Sequence, residues 1–293
     1  MRIAVTGKSG QVAKSLQRLA ATDPELEVVL VGRPELDLLD PDSIGDSLRK
    51  TKPDIIVSAA AYTAVDQAED ERDLAYAINA VGAEIVAREA ERIGVPVIHL
   101  STDYVFDGSK NGFYVEADAT APQSVYGSTK LEGEKLVASS HSSPVIIRTA
   151  WVYSPYGKNF VKTMLELART RDELNVVCDQ WGCPTSALEI ARALYAVAIK
   201  IRDLGAERVT GTYHFAGAGE ASWQSFAEHV FQCSGREGGP RAKVNAIDSS
   251  QFPTKAMRPQ NSRLDCVKFT MTFQYEAPDW RQSVDDVVRE IVV

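Results

Sequence analysis

Arg2-Ile3-Ala4-Val5-Thr6-Gly7-Lys8-Ser9-Gly10-Gln11-Val12-Ala13 is the stretch from which the fold can be read. Ile3-Ala4-Val5 is a short, unbroken apolar run, the pattern of a strand buried on both faces. After the glycines, Val12, Leu16 and Leu19 recur at helical spacing, so the chain turns from strand into helix. Between them lies Gly-x-x-Gly-x-x-Ala, formed by Gly7, Gly10 and Ala13. Gly7 and Gly10 allow a tight turn and a close approach of backbone to a pyrophosphate at the helix's amino end; the small Ala13 lets helix and strand pack. A glycine turn also occurs in α/β proteins that bind no such ligand, but strand, turn and helix in this order predict a dinucleotide site.

The pattern repeats outward. Glu27 to Val31 is a second strand ending at Gly32-Arg33, and Pro41 to Lys50 reads as a helix. The end of a second strand meets the adenosine ribose in such folds, where an arginine accommodates a 2′-phosphate. Arg33 therefore points to NADPH, with NADH as the alternative. Asp37 could accept from an adenine amino group or simply cap the helix that follows. Pro53 to Ser58 is a third strand running into Ala59-Ala60-Ala61-Tyr62-Thr63, where three alanines leave room for a ligand against the backbone. A long amphipathic helix from about 74 to 93 carries Asn79 on its inner side, and strands at 96–100 and 145–150 follow. Alternating strand and helix through residue 150 predict a right-handed, doubly wound parallel sheet.

The strand Pro96-Val97-Ile98-His99-Leu100 delivers Ser101-Thr102-Asp103-Tyr104 to its carboxyl end, where open α/β sheets bind ligands. Downstream, Ser124 can cap a helix over 124–138 with a partial apolar stripe of Leu131, Leu136 and Val137. Tyr126 and Lys130 are four apart and share one face of it. A phenol with a pKa of about 10 is a poor acid–base group near neutrality. An ammonium within ~4–6 Å lowers such a pKa by roughly 1–3. Tyr126 could then exchange a proton with a carbonyl or alcohol oxygen that Thr102 orients. A Tyr-x-x-x-Lys pair recurs by chance in a chain with ten tyrosines; its weight comes from the strand before it.

Beyond residue 150 the pattern loosens. Helices are expected at about 159–169, 186–202 and 223–231, short strands at 175–177 and 211–215, and a loop over Ser234 to Pro240. A net charge of −8 argues against a nucleic-acid backbone or an anionic membrane as partner. Cys178, Cys183, Cys233 and Cys266 form no Cys-x-x-Cys and no zinc-spaced cluster, so reduced thiols and no metal are expected. With no apolar leader and no run of 18 apolar residues, a cytoplasmic enzyme is expected.

Six segments together carry a resemblance: 7–12, 59–66, 101–106, 125–134 (Val-Tyr-Gly-Ser-Thr-Lys-Leu-Glu-Gly-Glu), 148–153 and Arg-Pro-Gln-Asn-Ser-Arg-Leu at 258–264. In register over nearly the whole length, they resemble the extended short-chain dehydrogenase/reductases, and among them the dTDP-4-dehydrorhamnose reductase family. The resemblance implies a Rossmann-type α/β fold with a smaller α/β substrate-binding domain: 1–150 plus about 175–217 for the dinucleotide, and 151–174 plus about 218–293 for the substrate. It implies Thr102, Tyr126 and Lys130 as catalytic residues, with Tyr126 and Lys130 also on the cofactor. Gln11 and Val12 would sit on the dinucleotide, Asp37 and Leu38 beside adenine, and Ala61, Tyr62 and Thr63 along the cofactor, next to Ala59 and Ala60. Thr102, Asp103 and Trp151 match substrate-contacting positions, with a dTDP-sugar as the partner. Arg258 and Arg263 are candidates for its diphosphate by charge alone. Some family members resemble metal-bridged dimers using a glutamate early in the first helix; Ser15 stands there, so no such metal is expected, and monomer and homodimer both remain open. Thr102-Asp103-Tyr104 lacks the Asp-Glu pair of nucleotide-sugar dehydratases. An epimerase of the same architecture and a non-catalytic, dinucleotide-binding regulatory subunit are the other readings.

Overall fold

The computed structural model describes all 293 residues. Six strands form one all-parallel sheet: β1 (Arg2–Thr6), β2 (Glu27–Val31), β3 (Ile55–Ser58), β4 (Val97–Thr102), β5 (Val145–Thr149) and β6 (Gly211–His214). Their order across the sheet is β2-β1-β3-β4-β5-β6, each neighbour parallel. β3 and β4 are buried at every position and β1 at all but its first. This follows from helices on both faces, and it is why these strands read as continuous apolar runs. The order reverses between β1 and β3, so their carboxyl ends splay and open the crevice in which such sheets bind ligands.

Two apolar layers flank the sheet. On one face Ile3, Val5, Val57 and Ile98 pack with Leu16, Leu194 and Val197; on the other Ala4, Ile56 and Val97 pack with Ile44, Val86 and Val137. The helix Gln11–Ala20 begins at Gly10 with no side chain capping it, which leaves its first amides free. The long helix over 72–92 is interrupted by a π segment, Ala77–Gly82, of the sort found at functional sites.

A separate apolar cluster holds Tyr153, Val161, Leu174, Val176, Phe226, Val230, Trp280 and Val284. It joins the helices Phe160–Leu167, Trp223–Arg236 and Trp280–Val292 to a two-stranded parallel pair, Glu173–Val177 with Lys243–Ile247. Core membership departs from the expected division in two places. Val176 packs into this cluster, not the sheet, because its strand pairs with Lys243–Ile247. Phe269, Phe273 and Ala277 belong to the sheet's core. The expected loop over 234–240 is helical as far as Arg236, where Ser234 donates to the Pro240 carbonyl and is fully buried. All four cysteines are unpaired, and no helix is long and apolar enough to cross a membrane.

Candidate active site

The crevice is built where β1 and β3 end. Thr6, the last residue of β1, accepts hydrogen bonds from the amides of Ala59 and Ala60, both at 2.9 Å, and so ties the glycine turn to the alanine segment. Gly7 has φ +97°, a conformation that side chains disfavour, and an added Cβ there would sit 3.4 Å from Ala60. At Gly10 an added Cβ would meet only the Gly7 carbonyl, at 3.5 Å, so the protein itself leaves that space clear. Clear space beside uncapped helix amides suits a diphosphate. Gln11 contributes less than expected: its amide side chain is turned to Ser154 (2.7 Å) and Asn159 (3.0 Å), so only its backbone faces the turn. Val12 packs against the sheet core.

Around the expected adenosine end, Arg33 is exposed at the close of β2. Lys8, which the sequence reading passed over, packs against Gly32 and pairs with Glu35. Asp37 accepts from the amide of Leu39 at 3.0 Å, and the helix Pro41–Thr51 is capped by Asp40 instead. Leu38 lies against Gly82 of the π segment. Asn79, in that segment, is the clamp of this region. It accepts from the Tyr62 amide (2.8 Å) and donates to the Tyr62 carbonyl (3.2 Å) and the Thr129 hydroxyl (3.1 Å). The alanine segment, the π segment and the helix Val125–Ser140 are thereby held together, with Ala61 beside Tyr62 and Thr63 facing solvent.

Thr102 ends β4 opposite Thr149 of β5, and Ser124 caps the helix that carries Tyr126 and Lys130. A buried network fixes their relation. Glu134 accepts from Arg148 at 2.9 and 2.7 Å and from Ser101 at 2.5 Å, joining helix, β5 and β4. The Thr102 hydroxyl donates to Asp103 at 2.9 Å. The Tyr126 ring meets the Tyr104 ring edge-on at 5.6 Å. The expectation of a depressed phenol is not met. Burial pushes Tyr126 above its ordinary range, the Thr102 hydroxyl pulls it back, and the Asp103 carboxylate raises it further; Lys130 is not among the groups that act on it. Lys130 is buried, its ammonium donating to the Leu100 carbonyl at 2.7 Å with His99 at 3.3 Å. Burial lowers its pKa to about 8, partly opposed by Glu134.

Asp103 is fully enclosed, and burial raises its carboxyl to about 6. Its Oδ2 has no hydrogen-bond partner; Ser262 stands beside the carboxyl without closing a bond. The neighbouring Thr149 hydroxyl is also buried and unpartnered. Trp151 adopts φ +46° and stacks on Trp223 with ring centroids 3.5 Å apart, so one face is already covered. The two cationic candidates separate. Arg258 pairs with Asp66 at 2.7 Å and reaches the Tyr104 hydroxyl at 3.4 Å, at the rim of the cleft. Arg263 is held by Glu220 at 2.5 Å and by Asn261 at 2.7 Å and braces its own loop.

Two groups lie away from the cleft. His229, Cys233 and Asp285 come together, with both His229 Nε2 (2.8 Å) and Cys233 Sγ (2.6 Å) on one Asp285 oxygen. Their grouping crosses two helices, so the spacing of Cys and His alone could not reveal it. Ser15 borders a cavity with Glu189 and Glu290, whose carboxylates pair with Arg192 and Arg18.

A doubly wound parallel sheet with a dinucleotide crevice, and a Thr, Tyr and Lys set at the end of its fourth strand, defines the extended short-chain class of NAD(P)H-dependent oxidoreductases. Within that class, residues 1–293 match the family described as the RmlD substrate binding domain, and the chain belongs to it. It is 50% identical to the dTDP-4-dehydrorhamnose reductase of Sinorhizobium fredii over 288 residues, 98% of this chain and 97% of that one. The crystal structure of a dTDP-4-dehydrorhamnose reductase from Clostridium acetobutylicum superposes with TM-score 0.90 at 36% identity, covering 100% of both chains. That of Bacillus anthracis, solved in complex with NADP, gives TM-score 0.88 at 34% identity over 99% of each. The chain is thus an NAD(P)H-dependent oxidoreductase of nucleotide-sugar metabolism.

Proposed function

We propose that this chain reduces the C4 ketone of dTDP-4-dehydro-L-rhamnose to dTDP-L-rhamnose, with NADPH as the preferred reductant and Tyr126 as the proton donor. The observation that carries the catalytic assignment is the buried Glu134–Arg148–Ser101 network, which holds β4 and the helix Val125–Ser140 so that Thr102 and Tyr126 face one another. A bound nicotinamide supplies the hydride. Tyr126, kept as a neutral phenol by burial, has a proton to give to the developing alkoxide. Thr102 orients the ketone oxygen, and Lys130 places a positive charge on the floor of the site.

The division of labour follows the two cores. The sheet unit holds the dinucleotide along Gly7, Gly10, Val12, the Gln11 backbone, Leu38 and Ala59 to Thr63. Arg33, with Lys8 nearby, offers positive charge for a 2′-phosphate. The second cluster supports the sugar side through Trp151, and Arg258 stands at the rim for the diphosphate if it releases Asp66.

The test is NADPH and NADH oxidation with dTDP-4-dehydro-L-rhamnose. Tyr126→Phe is expected to lower kcat by about 10²–10⁴-fold with dinucleotide affinity unchanged. Comparable losses in turnover and NADPH binding would remove Tyr126 from the proton-donor role. A wild type that uses NADH as well as NADPH would remove Arg33 from the 2′-phosphate.

A further inference from the structure

We propose that His99, held in a single tautomer by Ser58, is the positioning residue for Lys130. His99 lies in β4 directly opposite Ser58 of β3, and both side chains are buried. Its Nδ1 is 3.1 Å from the Ser58 hydroxyl, and its Nε2 is 3.3 Å from the Lys130 ammonium. An ammonium only donates. Nε2 must therefore be the accepting nitrogen, which places the imidazole hydrogen on Nδ1, directed at the Ser58 oxygen. Burial and the Lys130 charge both push His99 well below its ordinary range, so the ring is neutral and able to accept.

The consequence is a two-point anchor. One ammonium hydrogen goes to the Leu100 carbonyl and a second to His99, which leaves the third for the cleft. A long, flexible side chain is thereby held in one geometry at the base of the site, and His99 is itself fixed by Ser58, which ends the strand feeding the alanine segment. The charged groups around the ammonium are few. Glu134, one turn along the same helix, favours the charged form, but it is shared with Arg148 of β5 and Ser101 of β4. Asp103 acts on Tyr126, one turn before. His99 is thus the one neutral acceptor that a side-chain substitution can delete without adding a charge.

The inference rests on Lys130 serving the reaction, and the experiment separates the two. Profiles of kcat against pH would be recorded with NADPH and dTDP-4-dehydro-L-rhamnose for wild type, His99→Leu, His99→Gln and Lys130→Met, each checked for folding by circular dichroism. Loss of the acceptor makes the buried ammonium less favourable, so the alkaline limb of His99→Leu should move to lower pH. Its kcat should fall about tenfold or more, the range for a lost hydrogen bond to a charged group. His99→Gln, whose amide oxygen can replace Nε2, should keep kcat within about threefold of wild type, with the limb in place. A folded His99→Leu with wild-type kcat and limb would overturn the proposal, as would equal losses in both variants with no movement of the limb. An inactive Lys130→Met beside an unaffected His99→Leu would sink only this inference. An active Lys130→Met would sink the site assignment together with it.

Discussion

Asp103 is a residue whose enclosure works against the fold. Its carboxyl is enclosed, raised to about 6 by burial, and has one oxygen without a partner. Because its folded pKa lies above the ordinary carboxylate value of 3.8, the fold loses stability as pH rises from about 4 to about 6; the cost is complete above that window and absent below it. A sugar hydroxyl donating to Oδ2 would favour the ionised form, so substrate binds best where Asp103 is already ionised. The expected kcat/KM therefore climbs as pH passes upward through about 6 and then levels. Asp103→Asn should abolish that limb, lower kcat/KM by roughly 10–100-fold and raise the melting temperature at pH 8. An acid limb that persists in the variant would assign it to another group. The sequence singled out Tyr126 and Lys130 by their spacing, and Asp103 by the family resemblance. It could not supply the acidities, since these depend on enclosure by β4, the helix Val125–Ser140 and the loop at 262.

At the level of elements, the helix Val125–Ser140 is the least ordinary. Its buried positions are Gly127, Thr129, Lys130, Gly133, Glu134 and Val137, mostly small or polar. Of the expected stripe of Leu131, Leu136 and Val137, only Val137 is fully buried. The helix is placed by close backbone approach and by the Glu134–Arg148 pair, not by an apolar face. Gly133 makes the approach possible: an added Cβ would sit 2.2 Å from the Asn79 carbonyl of the π segment. Gly133→Ala should cost about 1–3 kcal/mol through overpacking, despite alanine's better helix propensity. Since Asn79 also holds Tyr62, the same change should weaken NADPH binding. Thermal melts and NADPH titration measure the two effects. A stable variant with unchanged affinity would mean that the helix can slide without disturbing the alanine segment.

Across the whole molecule, two cores meet along the cleft, stitched by Gln11 to Ser154 and Asn159. Phe226 sits fully buried at the centre of the second core, near Trp151, Tyr153, Phe160 and Trp280. Phe226→Ala should cost about 3–5 kcal/mol in that core. It is expected to raise KM for the nucleotide sugar while NADPH affinity, assigned to the sheet unit in the proposed division of labour, is retained. Parallel loss of both would mean that the two cores stand or fall together. The parallel sheet, the glycine turn and the placing of Tyr126 and Lys130 on one helix were legible in the sequence, because each rests on short-range spacing: a two-sided apolar strand, a turn that requires glycine, two side chains one helical turn apart. Tertiary structure alone decided that Arg258 pairs with Asp66 and reaches Tyr104 while Arg263 braces its loop, that Trp223 covers one face of Trp151, that Val176 belongs to the second core, and that His99 reaches Lys130. Those outcomes depend on partners tens to hundreds of residues away, and on a burial that only the assembled sheet and its two cores create.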